Sequence, residues 1–333
     1  MRDHFIKRLT TLAAEEPRIL LITGDLGFGV LEEFQKRFPR QYLNAGVAEQ
    51  NMTGLACGLA LEGRIVFTYS IANFPVLRCL EQVRNDICYH EANVKIVSIG
   101  GGFSYGPLGF SHHGTEDLSI LRTMPGMTVV APGDPWEVEE ATAALVRMKG
   151  PAYLRLDKSA AGTTGRERER FEIGRARRLM EGGDVTLIAT GGILGESLKA
   201  ADRLLKEKIR CRVVSMHTVQ PLDRDEVLAA ARETGGIVTI EEQTVLGGLG
   251  GAVAETCLES GVLPAAFLRL GIREGFAKTA GSQDYLRKNH NLDSVSLIGV
   301  VKGLLKNCFT SQRRCDVNSP PISGINDATF ERN

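Results

Sequence analysis

The sequence predicts an α/β protein built from two doubly wound domains with mainly parallel sheets. Three observations carry this. Short apolar runs without polar alternation, the mark of strands covered on both faces, recur along the chain. Stretches with helical spacing separate them. A polar segment divides the pattern into two rounds, in keeping with the roughly two domains that 333 residues allow.

In the first round, "RILLITG" (18–24), "RIVFTYS" (64–70), "NVKIVSIG" (93–100), "MTVVAP" (127–132) and "AYLRL" (152–156) read as buried parallel strands. Helices fit at about 46–62, 74–90 and 134–148. An amphipathic helix opens the chain, with Phe5, Leu9 and Leu12 on one face. The first domain is thus expected over 1–160. Residues 161–178, "AGTTGRERERFEIGRARR", have the composition of a linker. The second domain, 179–306, takes its strands from "DVTLIATG", "RCRVVSM", "GGIVTIEE" and "AAFLRLG", with helices near 195–207, 223–233 and 248–260. The glycines of "GGLGGAVAE" suit a tight turn into the last of these, or close helix packing. The tail 307–333 has no apolar period and is expected to be flexible.

Composition excludes several classes. Forty basic residues balance 40 acidic ones, so no excess charge points to nucleic acid. No apolar run approaches membrane-spanning length, and the N-terminus lacks the apolar stretch of a signal peptide. Seven cysteines without metal-ligand spacing read as buried thiols of a cytoplasmic protein.

Ligands of open α/β sheets bind at the carboxyl ends of strands. Three stretches fall there: "TGDLG" (23–27), "YSIANF" (69–74) and the long loop "GGGFSYGPLGFSHHGTED" (100–117), which carries His112 and His113 side by side. A further oddity is "NAGVAEQNMTGLACGLALEG" (44–63). Glu49 stands where a helix of small residues enters an apolar core. A buried carboxylate is costly unless paired, so Glu49 is either a helix-start acid or a working one. No dinucleotide fingerprint, phosphate-binding P-loop, zinc-protease motif or serine elbow is present.

Taken in order, "NAGVAEQN", "YSIANF", "SHHGTEDLSILRTMPGMTVVAPGD" and "IEEQTVLGGLGGAVAE" resemble the transketolase family, and in particular the C-terminal subunit of a split transketolase, over about residues 2–305. The resemblance implies thiamine diphosphate chemistry. Glu49 then matches the acid that hydrogen-bonds the cofactor's aminopyrimidine, where desolvation favours sharing a proton with a ring nitrogen. The exocyclic amine so activated forms the thiazolium ylid, and the cofactor serves as electron sink for transfer of a two-carbon ketol unit from a ketose or its phosphate to an aldose. Phe74 matches the aromatic stacked on that ring. Ile71 and Leu77 stand where the family has further aromatics. Asp25 matches an acid near the cofactor at the subunit interface. His112 matches the histidine near the substrate hydroxyls. Leu108 replaces an acid that contacts the sugar donor. Lys158 falls near an arginine that binds sugar phosphate, and Arg2 aligns with another basic position.

The family's G-D-G…Asn signature for diphosphate and Mg²⁺ is missing from the sequence. The resemblance therefore implies a partner subunit that supplies diphosphate and Mg²⁺ binding, in a heterotetramer of two copies of each chain. Rival readings are the beta subunit of a 2-oxo-acid dehydrogenase, a deoxyxylulose phosphate synthase-like enzyme with Arg78 as substrate arginine if a gap is allowed, and a non-catalytic structural subunit.

Overall fold

The computed structural model describes residues 1–273 and 275–315, with side chains to residue 306. Its first sheet has seven strands in the order β10-β5-β6-β4-β3-β1-β2. These are β1 (Ile19–Thr23), β2 (Tyr42–Asn44), β3 (Ile65–Ile71), β4 (Val94–Ile99), β5 (Thr128–Val130), β6 (Ala152–Leu156) and, from the far half of the chain, β10 (Thr218–Gln220). All pairings are parallel except β10 with β5. The second sheet runs β12-β11-β8-β9-β7, from β7 (Arg177–Met180), β8 (Val185–Thr190), β9 (Cys211–Ser215), β11 (Ile237–Thr244) and β12 (Phe267–Ile272). Only β7 pairs antiparallel there.

Helices cover both faces of the first sheet. On one side α1 (Arg2–Glu15) buries Phe5 and Leu9 beside α7 (Pro135–Arg147), with the short α2 (Glu32–Arg37) adding Phe34. On the other, α3 (Glu49–Leu61) packs Met52, Ala56 and Ala60 into the core together with Leu118 and Leu121 of α6 (Asp117–Arg122). The span 74–90, expected as one helix, is broken into α4 (Phe74–Leu77), α5 (Leu80–Gln82) and a π-helical stretch, Val83–Cys88. The breaks let Phe74 and Arg78 turn toward the end of the sheet while Val83, Ile87 and Cys88 stay in the core. The second sheet carries α8 (Leu194–Lys206), α9 (Arg224–Glu233), α10 (Leu249–Glu259), α11 (Gln283–Asn289) and α12 (Ser294–Cys315). The turn into α10 is capped by Glu241, whose carboxylate accepts from Leu249 and Gly250 N–H at 2.8 Å each. A Cβ on Gly248 would collide with that carboxylate, which accounts for the glycine. Among the described residues no helix is long and apolar enough to cross a membrane. Cys57, Cys79, Cys88, Cys211 and Cys257 are buried free thiols.

The polar segment 161–178 is pinned rather than loose. Arg177, 4% exposed at its side chain, binds Glu137 of α7 at 2.6 Å and Glu169 at 2.8 Å, and the segment's last residues enter β7. The tail expected from 307 begins inside α12, which runs to Cys315; residues 316–333 lie outside the described residues.

A buried polar network joins the two sheets. Arg155 of β6 faces Asp157 at 3.2 Å and Asp117 at 3.4 Å, and donates to the Glu242 carbonyl of β11 at 2.9 Å. Glu242 in turn accepts from Phe103 N–H at 2.5 Å and Gln283 Nε2 at 2.9 Å, and pairs with Arg287 of α11. Burial pushes the Asp117 carboxyl up, against the opposing pull of Arg155. Removing the cation between two buried carboxylates leaves them uncompensated, a cost of about 3–5 kcal/mol. Arg155→Met is therefore expected to lower unfolding free energy by that amount in urea titration; a loss below about 1 kcal/mol contradicts this role.

Candidate active site

Strands β4, β3, β1 and β2 are neighbours and run the same way, so their carboxyl ends lie side by side. From these ends emerge the turn at Gly24–Asp25, the segment Ala72–Phe74, the loop after Ile99 and, after β2, the start of α3. The topology thus gathers the motifs on one edge of the sheet.

Glu49 is the first residue of α3 and only 3% exposed. Its Oε2 accepts from Arg78 Nη1 at 2.7 Å. The Arg78 guanidinium also lies over the Phe74 ring, with Cζ 4.7 Å from the centroid. The two partners differ in their access to water: Arg78 keeps 49% of its side chain exposed. Its backbone is fixed, because Gln50 Nε2 donates to the Arg78 carbonyl at 3.1 Å.

His112 meets Phe74 edge-on, ring centroids 5.3 Å apart. It sits at the end of a short 3₁₀ turn, Phe110–His112. The neighbouring His113 is buried, and burial lowers its pKa. The long loop is held in place at its base, where Gly102 and Gly114 exchange backbone hydrogen bonds at 2.7 and 3.1 Å. At its tip the Ser111 carbonyl accepts from Asn73 Nδ2 at 2.9 Å. A cleft of ≈ 390 Å³ opens between these elements, lined among others by Phe74, Leu77, Arg78, Phe110 and Glu116, and by Phe276 of the second domain. Phe110 and Phe276 touch, with centroids 5.7 Å apart.

The structure therefore brings Glu49, Phe74 and His112 together and adds Arg78, Phe110 and Phe276. Ile71 ends β3, half-buried, three residues before Phe74. Leu108 is on the same loop as His112, 55% exposed in its own 3₁₀ turn. Asp25 lies on a separate cleft of ≈ 190 Å³ with Phe28, Tyr42 and Asn44. There its backbone is left-handed (φ 55°), and its carboxylate accepts from Asn44 Nδ2 at 2.9 Å. Arg2 and Lys158 form another group around Tyr105. The Lys158 ammonium is 4.0 Å from that ring, and partial desolvation and the Arg2 charge lower its pKa. Neither lines the cleft at Phe74. Phe276 has no local sequence signal, since only the packing of the two domains brings it here.

The two halves of the chain match two family models, transketolase pyrimidine binding domain over residues 1–163 and transketolase C-terminal domain over 174–296. The chain belongs to the transketolase family. It is 37% identical to a 6-deoxy-6-sulfo-D-fructose transketolase subunit of Clostridium sp. (strain MSTE9), over 90% of this chain and 92% of that one. It is 38% identical to one of the subunits of an apulose-4-phosphate transketolase of Phocaeicola vulgatus, over 78% and 84% respectively. Among solved structures it resembles a split-gene transketolase, an inactive β4 tetramer, with a TM-score of 0.82 and 35% identity over 92% of this chain and 97% of that one.

Transketolases depend on thiamine diphosphate, and the residues present fit one half of it. Glu49 offers a buried acceptor joined to the Phe74 ring through Arg78, and Phe74, Leu77 and Phe110 give the adjoining cleft an apolar wall. For the diphosphate and its cation the sequence lacks the family's G-D-G…Asn signature. Among the described residues no group of three or more His, Cys, Asp or Glu side chains is placed to hold a metal.

Loop position should govern this site. A methyl at Gly114 would lie 2.7 Å from Ala72 Cβ, beside Asn73 and Phe74. Overpacking of this kind costs about 1–3 kcal/mol. Gly114→Ala is expected to lower stability by that much and to speed proteolysis within 103–112; an unchanged cleavage rate there contradicts the loop's anchoring at Gly102 and Gly114.

Proposed function

We propose that this chain is one subunit of a two-subunit transketolase, which moves a two-carbon ketol unit from a ketose or ketose phosphate to an aldose. The observation that carries the reading is Glu49: a buried carboxylate bonded to Arg78, whose guanidinium also lies over the Phe74 ring. The residues for diphosphate and Mg²⁺ come from the partner. The names of the Clostridium and Phocaeicola relatives support this division, since both are called transketolase subunits. A β4 tetramer described as inactive supports both self-association of such chains and their need for a second kind, and we infer a heterotetramer of two copies of each. Its buried free thiols suit work in the cytoplasm.

When bound, thiamine diphosphate supplies a nucleophilic carbon and an electron sink. This chain's residues do the rest from fixed positions. Glu49 holds or shares a proton at the pyrimidine edge. Phe74 orients the ring by its face, and the aliphatic Ile71 and Leu77 complete an apolar wall that keeps water away. Asp25 approaches from the neighbouring turn, where subunits meet. His112, half-buried on the loop above Phe74, is the hydrogen-bonding group for the sugar hydroxyls. Arg2 and Lys158, grouped around Tyr105 apart from the Phe74 cleft, are assigned to an anionic substrate end that reaches beyond it. Leu108 offers no acid to a donor hydroxyl, so the preferred donor differs in its hydroxyl pattern from that of enzymes with the acid.

The test is steady-state ketol transfer by this chain mixed with the metal-binding transketolase subunit. General acid–base groups typically contribute ~10²–10⁴-fold. Glu49→Gln should assemble normally, seen by native mass spectrometry, and lose that factor in turnover. Near wild-type turnover would remove Glu49 from the chemistry.

A further inference from the structure

We propose that Arg78 is a built-in stand-in for the cofactor's aminopyrimidine ring, occupying its place until thiamine diphosphate displaces it. The inference rests on the functional reading above and concerns a residue to which that reading gives no role. A guanidinium is planar, presents N–H donors along its edge and stacks on aromatic faces. Arg78 engages both groups at once, with Cζ over Phe74 (4.7 Å from the centroid) and Nη1 on Glu49 Oε2 (2.7 Å). An aminopyrimidine held by Phe74 and Glu49 needs the same face and the same carboxylate. An aminopyrimidine laid on that face of Phe74 meets the Arg78 guanidinium there, so its binding moves Arg78 aside.

The arrangement has a physical reason. With Glu49 only 3% exposed, leaving its carboxylate unpaired would be costly in any subunit that has not yet met its cofactor. Arg78 meets that need from a position that allows it to leave. Its side chain is half in water, whereas its backbone is tied to α3 through Gln50. Displacement is therefore a rotamer change of one side chain at the break between α4 and α5. The consequence is competition: the fraction of chains with Arg78 on Glu49 reduces apparent cofactor affinity.

Calorimetric titration of thiamine diphosphate with Mg²⁺ into the assembled two-subunit complex tests this, using wild type, Arg78→Met and Arg78→Lys. Arg78→Met keeps an apolar stem over Phe74 but removes the donor. It is expected to bind the cofactor about tenfold more tightly, the scale of one lost charge-assisted hydrogen bond, with Arg78→Lys in between. Cofactor-free Arg78→Met complex should melt below wild type, whereas the two loaded complexes should melt together, which also shows that the variant is intact. Equal or weaker cofactor binding by Arg78→Met would overturn the proposal while leaving the functional reading in place. If the wild-type complex binds no thiamine diphosphate, both fall.

Discussion

A carboxylate held out of water has to be paired, and Glu49 imposes that condition on everything around it. It sits at the first turn of α3, a helix of small residues buried against the sheet, where solvent cannot reach it. Its partner must come from outside the helix and must carry hydrogen-bond donors. In this chain the partner is Arg78, and the break between α4 and α5 is the backbone feature that brings the guanidinium within reach. Phe74, one turn earlier, provides the flat surface on which a planar donor can lie. The same requirements, an edge for the carboxylate and a face for the ring, describe the pyrimidine half of thiamine diphosphate.

The second domain shapes the site from a distance. Arg155, Glu242 and Arg287 lock β6, β11 and α11 together, and Phe103 at the root of the long loop is bonded into the same network through Glu242. That network positions the loop whose far end carries His112. Phe276 of the second domain meets Phe110 at the cleft mouth. Although Glu49, Phe74 and His112 belong to the first domain, the sheet-to-sheet junction sets where the loop lies. Strand β10, which leaves the second domain to pair with β5, reinforces the junction.

Much of this was legible in the sequence, for definite reasons. Strands β1, β3, β4, β8 and β9 are buried almost throughout, so unbroken apolar runs marked them. The three-residue strands β2 and β10 were not seen: one is largely exposed, and the other pairs antiparallel with a strand of the opposite domain. The segment 161–178 has the composition of a linker, and within it Glu169 pairs with the buried Arg177. At the site, Glu49, Phe74 and His112 were singled out as candidates through motif order rather than periodicity. The pairing of Arg78 with Glu49 was not, because two charged residues far apart in sequence reveal nothing of each other until the backbone turns between α4 and α5.

The central claim is that this chain carries only half of a cofactor site and that a second subunit completes it. The most direct measurement is calorimetric titration of thiamine diphosphate and Mg²⁺ into this chain alone and into its complex with the metal-binding transketolase subunit. The account predicts no measurable binding to the chain alone and saturable binding to the complex, with one cofactor for each copy of this chain. Micromolar binding by the isolated chain would contradict it.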